Sequence, residues 1–414
     1  MPMKNKPRIF YWCLYDFANS SYAVIIAAFV FAVYFTNVIA DKQPVGDFYW
    51  SLGINISMII SAILNPLCGA IADYTSNKKK FLVFFSLLSI IATMLLYFTG
   101  KGTIALGITL FIFSNIGFQT ALTFYDTFLT DITEPENYNV VSGYGYSLGY
   151  LGSLVSVLLV FPLAENQKLL FVITGIFFLV FSLPLFILVK EKRPATVPEM
   201  PPLLMQAKIG FKRVTDTIRH ISRYKNLTRY MISYFLYIDA VNTIIFFAGI
   251  YASKTLNFDL TQLAIFFLIV QFTAMFGSLI FGYAGKRFGS KKTIIFTLVI
   301  WTLIVFYIYF FIGESSYIKL FGFNFHQFFI AGGFAGLFLG ATQSISRALM
   351  AKLTPGEIKT EFFGFYALFD KTSTLLGPLT FGLVSWLSGS QRLAILSVGA
   401  FFILGMIMLR KVEE

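Results

Sequence analysis

Long apolar segments recur from one end of this 414-residue chain to the other, and no other feature limits its fold so severely. Read by hydropathy they fall near 9–38, 48–72, 81–99, 103–130, 139–162, 168–189, 230–252, 260–284, 293–312, 325–350, 361–387 and 392–410. A helix of about 20 residues crosses a hydrocarbon core of roughly 30 Å. In lipid only helices and closed barrels satisfy their own backbone, and these runs are continuous rather than alternating, which selects helices. The supply of polar side chains agrees. Only 13% of residues are charged and 57% are apolar, where an average soluble domain carries roughly 25% charge. The sequence predicts an all-α, multi-pass membrane protein of twelve transmembrane helices.

A net charge of +12 invites a nucleic-acid or acidic partner, but its distribution removes both. With the N-terminus in the cytoplasm, Lys42, Lys101, Lys168, Lys254, Lys319 and Arg392 fall in the outer loops, one in each. The other 26 of the 32 Lys and Arg fall inside, Arg347 and Lys371 included. That is the positive-inside bias, and it puts both termini in the cytoplasm. Cys13 and Cys68 both lie within spans, which excludes a disulfide framework or a zinc site; His220 and His326 are too few for a metal cluster. No metal, cofactor or nucleic acid is expected. Met1 to Arg8 is short and basic and leads straight into a full-length span, so the first helix serves as the insertion signal.

The longest polar stretch, Glu191 to Arg229, opens with Pro194, Pro198, Pro201 and Pro202 and separates six spans from six. The expected parts are a first half, 1–190, a linker, 191–229, and a second half, 230–414. Within the linker, Phe211, Val214, Ile218 and Ile221 recur at helical spacing between Lys212, Arg213, Arg219 and Arg223. This is either a basic amphipathic helix on the anionic inner leaflet or a solvated charged helix. The halves repeat. Asp16-Phe-Ala-Asn19-Ser20 returns as Asp239-Ala-Val-Asn242-Thr243, Gly69 to Lys79 as Gly282 to Lys292, and Gly143-Tyr144 as Gly364-Phe365. The offsets of 223, 213 and 221 differ because loops differ, chiefly a longer first outer loop near 40–49. Parallel six-helix repeats imply a midplane site between halves.

The loop Gly69-Ala-Ile-Ala-Asp73-Tyr-Thr-Ser-Asn-Lys78-Lys79-Lys80 has the form Gly-x-x-x-Asp-x-x-x-x-basic-basic. An acid at a helix C-terminus is electrostatically misplaced unless a cation answers it. The loop resembles the signature of the major facilitator superfamily, where it latches the two halves together on the cytoplasmic side. The second copy carries Lys286 where the acid would stand. Tyr15 to Ser20, Gly143 to Gly152, Gln343-Ser-Ile-Ser-Arg347, Glu361 to Tyr366 and Gly389-Ser-Gln-Arg392 narrow the resemblance to the vacuole-effluxer-like branch. It covers nearly the whole chain. It implies the major facilitator fold, two six-helix halves with pseudo-two-fold symmetry, and export of a solute. The fungal member's amino-acid role is its weaker implication, because sequence conveys fold better than substrate.

Asp16, Asp126, Asp239, Arg347, Asp370 and Lys371 fall within or just inside spans. Unpaired, six such charges would cost on the order of 15–20 kcal/mol, so they pair or face a wet cavity. Asp16 with Asn19, and Asp239 with Asn242, are three apart and share a helix face. Spans one and seven line the cavity in the superfamily, which makes these pairs candidates for binding the solute, binding a coupling proton, or bridging helices. Gln343 lies one turn before Arg347 and joins the set. Asp126 and Arg347 occupy equivalent places with opposite charge, as a gate pair or a static neutralising pair. Asp73, Lys78 and Lys79 form the latch, and Lys371 is the expected partner of Asp73. Gly332-x-x-x-Gly336-x-x-x-Gly340 and Gly145-x-x-x-Gly149 read as close-packing faces. Gly145-Tyr-Ser147-Leu-Gly149 also fits a hydrolase elbow, but it lies inside a membrane helix with no histidine near. No phosphate loop is present, so ATP-driven pumping is unsupported, and for want of a nucleophile–base or metal constellation the expectation is not an enzyme. The expectation is a monomeric secondary transporter of a small polar solute, an amino acid or related metabolite. It would sit in a bacterial inner membrane and be driven by a solute or proton gradient. A non-transporting sensor on the same fold, or an amphiphile flippase, are the alternatives.

Overall fold

The long apolar runs become helices. The computed structural model describes residues 5–28, 30–43, 45–163, 166–191, 202–219, 221–320, 323–373 and 376–414. In chain order the main helices are α1 (Lys6–Tyr22), α2 (Val45–Thr75), α3 (Lys78–Leu95), α4 (Ile104–Thr127), α5 (Tyr138–Leu163) and α6 (Gln167–Leu188). The linker helix α7 (Leu203–Arg219) is followed by α8 (Lys225–Thr255), α9 (Leu260–Phe288), α10 (Ser290–Phe311) and α11 (Gln327–Leu353). Then come α12 (Lys359–Thr372), α13 (Leu376–Ser388) and α14 (Gln391–Arg410). Past Tyr22 the first span continues in wider π turns, Ala23–Ala28 and Phe35–Ile39, on either side of Val30–Tyr34.

Eleven helices among the described residues are long and apolar enough to cross a membrane. The twelfth expected span, 361–387, is divided into α12 and α13, of 14 and 13 residues. Its sequence carries the reason. Asp370 and Lys371 close the first piece, and Gly377-Pro378 opens the second, where a first-turn proline loses no helical hydrogen bond. The linker prolines Pro194, Pro198 and Pro201, and His220, lie outside the described residues. The all-α expectation also missed a hairpin. Tyr317–Leu320 (β1) pairs antiparallel with Phe323–His326 (β2), from Tyr317 opposite His326 to Leu320 opposite Phe323. His326 ties it down: Nδ1 accepts from Phe328 N–H at 3.1 Å, and Nε2 donates to the Gly313 carbonyl at 3.0 Å. Burial pushes this imidazole below its usual range, against the two carbonyls that favour the charged form.

The chain folds into two compact units that exchange segments between its sequence halves. The first comprises Met1–Pro135, Leu148–Arg219 and Thr354–Leu368; the second comprises Glu136–Ser147, His220–Leu353 and Phe369–Glu414. In the first unit, Trp12 of α1 stacks on Tyr125 of α4 at 4.6 Å between centroids and donates to its carbonyl at 3.0 Å. A Cβ at Gly117 would stand 2.6 Å from the Phe85 carbonyl, so only glycine lets α4 lie this close to α3. The linker helix belongs to this unit and seats on α2, where a Cβ at Gly210 would come 2.8 Å from Ile71 Cγ1. Phe211, from the apolar stripe expected there, stays 68% exposed. The side chains of Ile218 and Ile221 lie outside the described set. In the second unit α9 and α11 meet along glycines. Gly332 faces Phe266, and Gly336 and Gly340 face the backbone at Val270 and Ala274.

Candidate functional site

Two crossings stand at the end of the helices that carries the basic loops, one in each unit. In the first unit, α2 ends against the start of α12. A Cβ at Gly69 would lie 2.5 Å from the Thr360 carbonyl, and one at Gly364 would lie 2.6 Å from both the Asn65 carbonyl and Pro66 Cα. One turn past Gly69, Asp73 accepts from two backbone N–H groups, Thr360 at 3.1 Å and Glu361 at 2.8 Å. Both belong to the free donors of the first turn of α12, and the carboxylate sits at the positive end of that helix. The acid that looked misplaced at the end of α2 is therefore answered by a helix N-terminus. Lys371, expected to meet it, pairs instead with its neighbour Asp370 at 2.9 Å. Adjacent residues point to different faces, but the long lysine stem bends back far enough to close the gap. Asp370 also accepts from Tyr234 at 2.8 Å.

The second unit repeats this crossing with α9 and the start of α5. A Cβ at Gly143 would lie 2.5 Å from the Ser278 carbonyl, and one at Gly282 would lie 2.9 Å from the Asn139 carbonyl. The four glycines are two repeat pairs, Gly69 with Gly282 and Gly143 with Gly364. All four sit where two backbones touch. Polar contacts at the two crossings differ. Lys286, in the place of Asp73, donates to Asn137 Oδ1 at 2.7 Å, and Asn139 Nδ2 donates to Ser290 Oγ at 3.0 Å. The turn of each basic loop needs a left-handed residue at the matching position, Ser76 at φ 49° and Gly289 at φ 91°.

Charge holds the loops in place. Lys78 pairs with Asp131 at 2.8 Å, with the two side chains 13% and 7% exposed. The Lys79 N–H donates to Glu191 at 2.9 Å and its ammonium to the Val189 carbonyl at 2.6 Å, tying α3 to the end of α6. The second unit has the same clasp between α10 and the end of α14. Ser290 and Lys291 N–H donate to Glu414 at 2.9 and 2.7 Å, and the Lys291 ammonium donates to the Val412 carbonyl at 2.6 Å. Lys352 adds an ion pair to Glu414 at 2.8 Å. Burial would raise the Glu414 carboxyl, but Lys352 and the Ser290 and Lys291 donors overcome it and hold it down to about 2. Arg213 of the linker helix faces Glu361, which is fully buried, at 3.7 Å.

Deeper in the spans, Asp16 is 9% exposed and accepts from Tyr125 Oη at 2.7 Å and from Asn19 Nδ2 at 3.4 Å. The structure thus brings Asp16 and Asn19 together and adds Tyr125. Asp239 and Asn242 are not joined. Asn242 donates to Ser373 at 3.4 Å, and among the described residues neither oxygen of the fully buried Asp239 has a hydrogen-bond partner. Arg347 is 1% exposed, donates to Ser142 Oγ at 2.9 Å and to its carbonyl at 3.0 Å, and lies 4.1 Å from the Tyr146 ring centre. Gln343 is half-buried one turn earlier on α11, and Asp126 is half-buried on α4.

Sequence reasoning missed a polar stripe. Asn115, Gln119, Thr123 and Asp126 share a face of α4, and among the described residues Asn115 Oδ1, Gln119 Oε1 and Thr123 Oγ1 have no hydrogen-bond partner. The three-to-four spacing of these residues was the available signal. Acceptors left open inside a membrane span are suited to a polar solute. Tyr125, Ser142, Tyr146, Glu191 and Glu414 were also passed over.

The family model described as vacuole effluxer Atg22 like matches residues 49–414. This chain belongs to that family. It is 31% identical to YxiO of Bacillus subtilis, an uncharacterized MFS-type transporter, over 97% of this chain and 94% of that one. It is 23% identical to autophagy-related protein 22-1 of Penicillium rubens, over 82% of this chain and 70% of the relative. Among solved structures, the human organic anion transporter MFSD10 superposes with a TM-score of 0.75 at 13% identity, over 97% of this chain and 98% of that one. The Escherichia coli fucose:proton symporter FucP does so at 0.74 and 13%, over 99% and 98%. The Atg22-like fold is thus the major facilitator fold, and this multi-pass membrane protein is a secondary transporter rather than an enzyme.

Proposed function

We propose that this transporter exports a small polar organic solute, an amino acid or related metabolite, from a bacterial cytoplasm. It works as a monomer in the inner membrane with both termini inside. The observation that carries the reading is the buried Asp16–Asn19–Tyr125 cluster, joined in the same unit by the open acceptors of Gln119 and Asn115. A carboxylate among neutral hydrogen-bonding groups suits an amine-bearing solute, and open amide oxygens suit its remaining donors. Asn242, Gln343 and Asp239 complete the candidate set, with a solute or a proton as ligand. The effluxer description of the family supports export. The halves would rock about this site, with Asp73, Lys78 and Lys79 holding the inner gate and Asp126 and Arg347 as its charge pair. Exchanging those last two, Asp126→Arg with Arg347→Asp, restores more transport than either single change; no recovery removes them as a pair.

The test is thermal stabilisation of the purified protein against amino acids, dipeptides, nucleosides, sugars and amphiphiles. A ligand at a hundred times its Kd adds about 2.7 kcal/mol to the folded state. A hit among amine-bearing solutes that Asp16→Asn abolishes supports the reading, and a hit untouched by that change moves the site elsewhere. One observation favours an amphiphile instead. The second unit holds a cavity of about 120 Å³ lined by Phe247, Phe266, Phe267, Trp301, Phe328 and Phe381. Stabilisation by amphiphiles alone would decide for that alternative.

A further inference from the structure

The end of the second unit away from its basic loops carries Arg392, in the first turn of α14. Ser390 caps that helix, accepting from the Leu393 N–H at 3.4 Å. Thr255 Oγ1 donates to Gln391 Oε1 at 2.6 Å, so the start of α14 is fixed to the end of α8. A cation at the N-terminus of a helix is electrostatically misplaced unless an anion or a carbonyl answers it. The Ile312 carbonyl, at the close of α10, answers in part. It accepts from Arg392 Nη2 at 2.5 Å and from Tyr251 Oη at 3.5 Å. The guanidinium lies beside that Tyr251 hydroxyl, and among the described residues its Nε is buried with no hydrogen-bond partner.

The acids at this end of the unit are engaged elsewhere. Asp259 forms the capping box of α9 with Gln262, and Glu314 accepts from Asn257 at 2.6 Å. A guanidinium has five donors in a planar fork that matches a carboxylate, and one contact to a carbonyl leaves most of that capacity unused. Tyr251 is also a wall of the apolar cavity of about 120 Å³, and so is Ile395, one turn after Arg392 on the same face of α14. The walls of the cavity are preformed. Phe247 stacks on Phe381 at 3.9 Å between centroids, Phe266 stacks on Phe328 at 4.7 Å, and Gly332 leaves room for the Phe266 ring. An apolar cavity of about 150 Å³ takes up a benzene, so this one suits a single ring or an aliphatic group of similar bulk.

We propose that the second unit binds a small apolar carboxylate, an aryl or branched-chain acid. Its hydrocarbon part lies among Phe247, Phe266, Phe328 and Phe381, and its carboxylate meets Arg392 and Tyr251. Two features select this ligand together. A neutral hydrocarbon fills the cavity but leaves the guanidinium unanswered, and an inorganic anion answers the guanidinium but leaves the cavity unfilled. A long acyl chain exceeds the volume. The residues of this site all belong to the second unit, whereas Asp16, Asn19 and Tyr125 belong to the first. The site is therefore separate from the one proposed for an amine-bearing solute. It gives a head group and a size to the amphiphile reading of the same cavity, and it rests on that cavity rather than on the identity of the transported solute.

The test is thermal stabilisation of the purified protein at neutral pH by benzoate, phenylacetate and hydrocinnamate. Benzamide serves as the uncharged shape and acetate as the head group without a ring. At least one of the aryl acids should stabilise the protein. Its apparent affinity should fall about tenfold or more in Arg392→Gln, which removes a charged hydrogen-bond donor. Ala335→Leu, which fills the cavity and leaves Arg392 in place, should abolish the effect. Lys319→Gln, an exposed lysine of the hairpin, should not change it. No stabilisation by any of the acids overturns the proposal, as does benzamide or acetate matching them. An effect that survives Arg392→Gln or Ala335→Leu intact, or that Lys319→Gln removes, overturns it equally. If Arg392→Gln does not fold, Ala335→Leu and the benzamide comparison decide. Such a failure leaves the amine-bearing solute reading untouched, because that reading turns on Asp16→Asn and on different ligands.

Discussion

Replacing Asp73 by Asn tests whether the α2–α12 crossing is a gate. The carboxylate accepts from Thr360 N–H at 3.1 Å and Glu361 N–H at 2.8 Å. Asparagine keeps one acceptor oxygen, so one of these bonds goes. A hydrogen bond to a charged group contributes about 1.5–3 kcal/mol net. The lost attraction between the charge and the α12 N-terminus adds about 0.3–1 kcal/mol. Taking about 2 kcal/mol as a conservative sum, the crossing opens roughly 30-fold more often, at 1.4 kcal/mol per factor of ten. The native thiol of Cys68, buried and adjacent to Gly69, is the reporter. In a Cys13→Ser background, its alkylation by a membrane-permeant maleimide should accelerate by about that factor. The midpoint of global unfolding should move far less. Unchanged alkylation in a folded Asp73→Asn protein would refute the cap as a latch. Acceleration matched by an equal loss of global stability would make it a general stabiliser instead.

Other outcomes follow from the same geometry. Gly364→Ala drives a methyl into backbone at 2.6 Å and should cost about 1–3 kcal/mol. Gly382→Ala, in α13 with nothing within 4 Å, should be neutral or stabilise by up to about 1 kcal/mol; melting of the two variants side by side checks this. Ser76→Gly relieves a left-handed serine and should leave the melting temperature level or higher, whereas Gly289→Ala, at φ 91°, should lose about 1–3 kcal/mol. Glu414→Gln should melt lower than wild type at neutral pH. The Glu414 carboxyl is held down from 4.5 to about 2, so its contribution is complete above 4.5 and fades as pH falls toward 2. The gap between the two proteins should close over that interval, and a gap independent of pH would deny Glu414 its ionised role.

The spans, the repeat and the latch loop were legible because each rests on local pattern. An apolar run needs no partner to declare itself, and Gly69 to Lys79 advertises its second copy at Gly282 to Lys292. The partners were not legible. Asp73 gave away its need for positive charge, but a helix N-terminus has no letter in the sequence, so Lys371 looked like the natural answer. Asp16 and Asp239 read as equals since both precede an asparagine by three; only packing shows Tyr125 beside one and bare Gly377 beside the other. The hairpin at Tyr317–His326 was hidden for a similar reason. Eight residues of a loop between spans carry too little periodicity to separate a short strand pair from a coil.

Two helices are shared between the compact units. Helix α5 leaves one unit at Ser147 and enters the other at Leu148, and the α12–α13 segment changes over between Leu368 and Phe369. In α5 the changeover falls within Gly145-x-x-x-Gly149, and in the other segment it falls just before Asp370-Lys371. A helix counted in both units cannot open in one without losing support in the other, so local unfolding of either is felt along the same backbone.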